Sequence, residues 1–421
     1  MMLDSVIEKL YASKSALEEP ASNLNMSVDE YLASLASTPQ FVALPDCPSP
    51  LRHIPGHLHN RLYMQDRAKV MIVGHHPGKE EVSGGQMFIG PSGERLRRLL
   101  VENGLNLDDC YFTNVVHVDI PKASSATLKF YYPLLAYELE RVRPQYILLL
   151  GREAVKAFYG RSASVERRRS IFDDDGDVVV FATTNPARGL IDPMSSVGIE
   201  ADIRRFCQRI VNASSTQLQD AFYVTIDKPD GVSKVVALLD ACRARRLAID
   251  CEWVGSRHLG PESFLRTFQI SWAPRHAAVF VLHKCDGTPV LSRDDLAPIF
   301  DRIVCQQMEI CGHFVRADLL WIRHHLGYDL SEQVTFDTML ASHLLNENVG
   351  HSLTDCVLLY TDMGRYDAEV IEYAKSSDDG YQSVPDDVLW KYAAADADAT
   401  FRLWEILEKK LAAEPNLERL F

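Results

Sequence analysis

The chain has 421 residues, a hydrophobic content of 47% that is ordinary for a globular protein, and 58 acidic against 44 basic residues, for a formal net charge of −14. That length predicts two or three domains with cores large enough to fold without staples, and no apolar run is long enough to predict a membrane span. The acidity argues against a self-sufficient, tight, nonspecific binder of duplex DNA, whose affinity would rest on phosphate contacts.

The opening stretch MMLDSVIEKLYASKSALEEP lacks the basic–apolar–small order of a signal peptide. Nine cysteines include no Cys-x-x-Cys pair, which predicts reduced thiols in a cytoplasmic protein rather than disulfides or zinc ligands. Residues 1–40 read as one or two short amphipathic helices, with Leu3, Ile7, Leu10 and Tyr11 at helical spacing and Ser27 placed to cap a helix through Tyr31 and Leu32. From 41 to 210 strands and helices alternate. Strands are predicted at 70–74, 110–116, 145–151 and 177–184, and helices at 92–105, 127–142 and 152–160. Such alternation predicts an α/β domain with a parallel sheet covered on both faces, a three-layer architecture. The small and polar stretch at 211–221 is predicted to link it to a second domain, 222–421.

In that second domain, Asp250 and Glu252 of LAIDCEWVG lie one residue apart in a β-type run and so face the same way. The apolar Leu247, Ala248 and Ile249 suit a buried central strand with the acids emerging at its end. Asp318 of GHFVRADLLWI opens a helix. Tyr392 and Asp396 of KYAAADADATFRLW are four apart on one helix face. Acids gathered in one place repel each other and hold their protons unless cations sit among them. Two Mg²⁺ (or Mn²⁺) ions, bound by oxygen ligands, are the economical solution, and they suit phosphodiester hydrolysis with a tyrosine orienting the attacking water.

These three motifs, with FYVTID (222–227), FDTMLASHLL (336–345) and GHSLTDCVLLY (350–360), resemble the proofreading 3′→5′ exonuclease domain of family-A DNA polymerases, the DEDD superfamily in its tyrosine form. The resemblance implies a ribonuclease H-like mixed sheet. It makes Asp250, Glu252, Asp318 and Asp396 metal ligands and Tyr392 the residue that orients water. One departure is Phe314, where that family often has asparagine after Gly-His.

Earlier in the chain, MIVGHHPGKEEVSGGQMFIGPSGERLRRLL (71–100), FTNVV (112–116), YILLLGREAVKAF (146–158) and TTNPARGL (183–190) resemble the uracil-DNA glycosylase superfamily, nearest its family 4. The resemblance implies a base pocket built on the turn Gly74, His75, His76, Pro77 and Gly78. Phe88 would stack on the extruded base and Asn114 would read its edge, with Asn185 where a catalytic histidine is usual. His75 and His76 stand where related branches carry an acid, so little or no base excision is expected. Cys47 is a remnant of one iron–sulfur ligand, while Val118 and Tyr131 occupy two other ligand positions; no iron–sulfur cluster is expected. His53, His57 and His59 read as solvated loop residues rather than metal ligands. Arg95, Arg97, Arg98 and the run Arg167, Arg168 and Arg169 are candidates for DNA-phosphate contact against an acidic background.

A glycosylase-like domain followed by a proofreading exonuclease resembles the N-terminal half of certain phage DNA polymerases. With Phe421 as the last residue, the expectation is a separate exonuclease subunit without a polymerase domain. It would act on a single-stranded or frayed DNA 3′ end beside a polymerase or other replication protein, in a bacterial or phage-infected cytoplasm. The alternatives are a ribonuclease D-type RNA exonuclease and a binding or repair protein that recognises uracil or modified bases.

Overall fold

The computed structural model describes residues 2–23, 25–37, 68–84, 87–117, 119, 122–211, 221–373 and 381–421. Cys47, Val118, the 53–59 histidines and most of the expected linker lie outside these. The chain divides into two compact units, Met1–Thr216 and Gln217–Phe421.

Among its described residues the first unit is built on five strands, β1 (Val70–Gly74), β2 (Cys110–Asn114), β3 (Tyr146–Leu150), β4 (Phe172–Asp174) and β5 (Val179–Thr183), in the order β2-β1-β3-β5-β4. The expected parallel sheet is present in β2, β1, β3 and β5, and β4 adds an antiparallel edge. The parallel strands are almost continuously apolar because both faces are covered. Alternate residues enter different cores. Met71, Val73, Ile147 and Leu149 pack with the helix Ser125–Val142 on one side. Val70, Ile72, Leu148 and Leu150 pack with the helix Pro91–Glu102 on the other.

Among its described residues the N-terminal segment forms three α-helices, Met2–Tyr11, Glu18–Asn23 and Val28–Ser37, and one 3-10 turn, Lys14–Leu17, and it belongs to the first of these cores. Leu3, Val6, Ile7 and Leu10 are buried there, as the helical spacing predicts. The Ser27 hydroxyl accepts from the Glu30 N–H at 3.2 Å while Glu30 accepts from the Ser27 N–H at 2.8 Å, a capping box. The helix Pro193–Val211 is not among the helices the sequence predicts. Its Ile199, Ile203, Phe206 and Cys207 lie at helical spacing and cover the second face of the sheet.

Among its described residues the second unit has six strands, β6 (Phe222–Ile226), β7 (Arg246–Val254), β8 (Phe264–Ala273), β9 (His276–Val281), β10 (Glu309–Gly312) and β11 (Val334–Asp337), ordered β11-β10-β7-β8-β9-β6. An antiparallel meander β7-β8-β9 is extended by β10 and β11, both parallel in sense to β7. The sheet is mixed, as the resemblance implies. On one face, Leu247, Ile249 and Cys251 of β7 join a core with the helices Pro229–Ala241, Arg293–Cys305 and Arg316–Leu326. Against the other lies the helix Asp386–Ala412. Its Ala393, Ala394 and Ala397 touch Ala277 and Val279 of β9. Small side chains on both surfaces let helix and sheet approach closely, and alanine keeps the helix favourable.

Candidate active site

With Leu247, Ile249 and Cys251 committed to the opposite core, the alternation of β7 turns Asp250 and Glu252 toward the face covered by the helix Asp386–Ala412. A register shift between Glu252 and Trp253 interrupts the pairing with β8 at the end of this acid pair, the usual place for a bulge to re-aim side chains. One carboxylate oxygen from each of Asp250, Glu252 and Asp396 lies within 4.8 Å of the others. Asp318, in the first turn of the helix Arg316–Leu326, is buried and falls outside that triangle. Its charge still acts on Glu252, and that of Asp250 acts on it.

Burial pushes the Asp250 carboxyl up to about 6, against an opposing hydrogen bond from Gln269. Burial, then neighbouring carboxylates, raise Glu252, Asp318 and Asp396 well above the usual range. Four acids in a dry site are stable as anions only with positive charge among them. The donor set is oxygen alone, from three converging carboxylates, which fits a hard divalent cation.

The immediate supports of this cluster are residues that motif reading misses. Gln269 lies opposite Asp250 in register on β8 and donates to Asp250 Oδ2 at 2.5 Å. It belongs to a polar stripe, Thr267, Gln269 and Ser271, that is wholly buried. That period-two pattern within FLRTFQISWA is a legible signal, since polar residues alternating on a buried strand require a polar neighbour. Tyr366 donates to Asp396 Oδ1 at 2.5 Å. The Tyr392 hydroxyl also bonds Asp396 and lies 3.3 Å from that of Tyr381. Arg266, fully buried on β8, donates to the carbonyls of Tyr381 at 2.5 Å and Val384 at 2.8 Å and pairs with Asp386. It thereby fixes the entry to the helix that carries Tyr392 and Asp396.

His313 of the second motif is structural, bonded through Nδ1 to Thr338 Oγ1 at 2.8 Å and through Nε2 to the His351 carbonyl at 2.9 Å. Phe314 is half exposed with φ at 57°. Asparagine tolerates that left-handed region better than phenylalanine, a physical reason for the asparagine usual there. Asp337 holds the turn by accepting from the N–H groups of Phe314 at 3.2 Å and Val315 at 3.0 Å.

In the first unit, all eight residues selected for the base pocket line one cavity of about 210 Å³. It opens at the carboxyl ends of β1 and β2, beside the point where the strand order reverses between β1 and β3, a regular place for ligands in open α/β sheets. Gly74 leaves room for these side chains: a Cβ would lie 2.3 Å from Asn114 Oδ1 and 2.8 Å from Phe88 Cζ, and both would have to move. Phe88 also takes a left-handed φ, 58°, and Arg97 clasps its carbonyl at 2.9 Å. Asn114 is buried with its amide 3.1 Å from Met87 Sδ. Burial lowers the His75 imidazole to about 4, so it is neutral at physiological pH. His76 Nδ1 lies 2.8 Å from the Pro77 carbonyl. Asn185 Oδ1 accepts from the Ala187 N–H at 3.0 Å and caps the turn Pro186–Leu190. No acid stands at the catalytic positions that the resemblance implies, yet Glu80 lines the pocket and so does Glu81. Both its oxygens are occupied, by the N–H groups of Gly78 at 2.9 Å and Gly90 at 2.8 Å, so it closes the loop. Tyr131 is buried in the core.

The arginine groups do not form the basic face that the sequence suggests. Arg95 reaches the Gly189 carbonyl at 2.9 Å and Glu200 at 2.5 Å. Arg97 spans the Met87 and Phe88 carbonyls. Arg168 pairs with Asp173 at 3.2 Å and Arg169 with buried Asp202 at 2.6 Å. A guanidinium in such a fork is an internal tie. Arg98 and Arg167 are left on the surface, the former 3.8 Å from Glu102.

Residues 62–196 match the Uracil DNA glycosylase superfamily and residues 223–412 match a 3′-5′ exonuclease family. The DNA polymerase of Escherichia phage T5 is 24% identical over 290 residues, covering 66% of this chain and 33% of that protein. The DNA polymerase of Bacillus phage SP01 is 23% identical over 369 residues, 80% of this chain and 40% of that protein. Each similarity is too long to fit within one unit, so both extend across the two domains; the chain itself spans well under half of either polymerase. A Type-4 uracil-DNA glycosylase of Saccharolobus solfataricus is 28% identical over 174 residues, 38% of this chain and 80% of the glycosylase. Among the described residues, no helix is long and apolar enough to cross a membrane.

Proposed function

For a chain that joins a uracil DNA glycosylase superfamily domain to a 3′-5′ exonuclease domain, we propose metal-dependent hydrolysis of DNA from the 3′ end, with release of nucleoside 5′-monophosphates. The observation that carries this is the convergence of Asp250, Glu252 and Asp396 within 4.8 Å. Asp250, Glu252 and Asp396 would hold one cation, and Asp318 would contribute to a second. Two Mg²⁺ or Mn²⁺ ions, when bound, supply charge neutralisation and a more acidic attacking water. Tyr392 orients that water, and Gln269 keeps Asp250 turned into the site.

Residues this deeply buried accept only a frayed or single-stranded terminus. With a net charge of −14, and most of the candidate arginines spent internally, the chain has weak means of gripping duplex. A family-A-like polymerase or another DNA-holding replication protein would deliver the mismatched end, giving a proofreading role. The test is digestion of 3′-labelled single-stranded and mismatched duplex DNA with Mg²⁺ or Mn²⁺, beside the same sequence as RNA. Asp250→Ala with Glu252→Ala should remove activity by several orders of magnitude. Monophosphate release at the parent rate by that double variant would overturn the assignment, and faster digestion of RNA would redirect it to a ribonuclease D-like role.

The first unit favours a second, binding role. Its pocket keeps an aromatic ring and an amide for a flipped base, but its neutral His75 and its capping Asn185 offer no carboxylate for glycosidic cleavage. Uracil-containing DNA should bind more tightly than plain DNA without yielding abasic sites in an exonuclease-dead background. Equal affinity for the two DNAs would sink the recognition role.

A further inference from the structure

Asp396 stands out among the acids because a phenol from outside the three motifs is bonded to it. We propose that Tyr366 is a positioning residue for the exonuclease centre, fixing one oxygen of Asp396 so that the other faces the cation. The proposal rests on the metal-site reading of Asp250, Glu252 and Asp396.

A carboxylate facing two others within 4.8 Å is pushed away from them when ionised. A short aspartate side chain relieves that repulsion by rotating its head. Tyr366 opposes the rotation, since its hydroxyl donates to Asp396 Oδ1 at 2.5 Å. Tyr366 is itself held. Its ring lies 6.1 Å from that of Tyr392 and packs on the cluster containing Leu403 and Leu407 of the last long helix. The next residue, Asp367, is buried and anchored twice. It accepts from Arg365 Nε at 2.7 Å and from Thr354 Oγ1 at 3.1 Å, which ties the segment to the helix Leu353–Tyr360. The donor thus comes from a braced segment and is aimed at one oxygen of one ligand. Hydrogen bonds of this kind to metal-binding carboxylates typically change metal affinity or activity about 10–100-fold.

Tyr366→Phe removes the hydroxyl and keeps the ring. On the full chain without nucleic acid, Mn²⁺ titrated calorimetrically should bind about tenfold more weakly than to the parent. The Mn²⁺ concentration for half-maximal hydrolysis should rise by a similar factor, with kcat at saturating Mn²⁺ within about twofold of the parent. Tyr392→Phe is the contrast: it also removes a bond to Asp396, so kcat at saturating Mn²⁺ should fall along with Mn²⁺ affinity. A melting temperature without metal equal to the parent's shows that Tyr366→Phe is folded. Parent-like Mn²⁺ affinity and metal requirement in Tyr366→Phe would overturn the positioning role. If the parent itself bound no Mn²⁺, the metal-site reading would fail first, a result distinguishable from failure of the Tyr366 proposal.

Discussion

Replacing Arg266 by methionine should damage stability and the candidate active site together. Arg266 is fully buried on β8, forks between the carbonyls of Tyr381 and Val384, and pairs with Asp386. Methionine fills much of the volume but removes the cation. Asp386 keeps the Cys285 N–H at 2.9 Å yet loses its counter-charge, and two inward carbonyls lose their donor. Breaking a buried pair from one side costs about 3–5 kcal/mol. With a urea m-value of about 2–3 kcal/mol/M for a unit of this size, the midpoint should fall by roughly 1–2 M. The transition to follow is that of the second unit, by fluorescence of its tryptophans, because two units need not unfold together. Exonuclease activity should drop even in the absence of urea, since Tyr381 and the start of the helix bearing Tyr392 and Asp396 lose their anchor. Arg266→Lys should fare little better, because an ammonium cannot span both carbonyls and Asp386. A midpoint within about 0.3 M of the parent, well under the shift a buried pair implies, together with undiminished activity, would refute the reasoning.

Three further outcomes are expected. Gln269→Leu should lower exonuclease activity about tenfold by freeing Asp250, as loss of a ligand's support does, while Gln269→Glu should lower it further by adding a fifth acid; parent activity in both would remove Gln269 from the site. Glu138 is fully buried and pushed up to about 8 by burial, despite hydrogen bonds from Thr113 and Tyr111. The fold therefore retains a proton that the unfolded chain gives up near 4.5, so the first unit should lose stability as pH rises from about 4.5 through about 8. Glu138→Gln should flatten that loss, and urea midpoints at pH 5 and pH 9 check it. Leu10→Ala should destabilise the first unit by about 2–5 kcal/mol, because the N-terminal helix is part of its core; an unchanged midpoint would make that helix an appendage.

Much of the fold was legible because it is written at short range. Near-continuous apolar runs at 70–74 and 146–150 could only be covered parallel strands, and Leu3, Ile7 and Leu10 announced one helix face. β4 escaped because Phe172-Asp173-Asp174 is too short and acidic to display a period, and its pairing is supplied by β5. The helix Pro193–Val211 carried an apolar spacing that opens on Pro-Met-Ser-Ser and is broken by Gly198, which obscured it. The clustered acids Asp250, Glu252 and Asp396 could be selected from sequence because strand and helix periods specify which side chains share a face.

The sequence by itself determined the two α/β domains, the acids at 250, 252, 318 and 396, and the residues lining the first unit's pocket. Only the tertiary structure decided what those residues touch. It placed Asp318 outside the tight triangle of carboxylates, brought Tyr366 to Asp396, laid Gln269 beside Asp250, and tied Arg266 to a segment more than a hundred residues away. It also tied four of six candidate phosphate-binding arginines to partners within their own unit. The physical reason is range. Periodicity and motif spacing are set by backbone geometry over a few residues, whereas a charged head finds its partner across whatever surfaces the packed elements bring together.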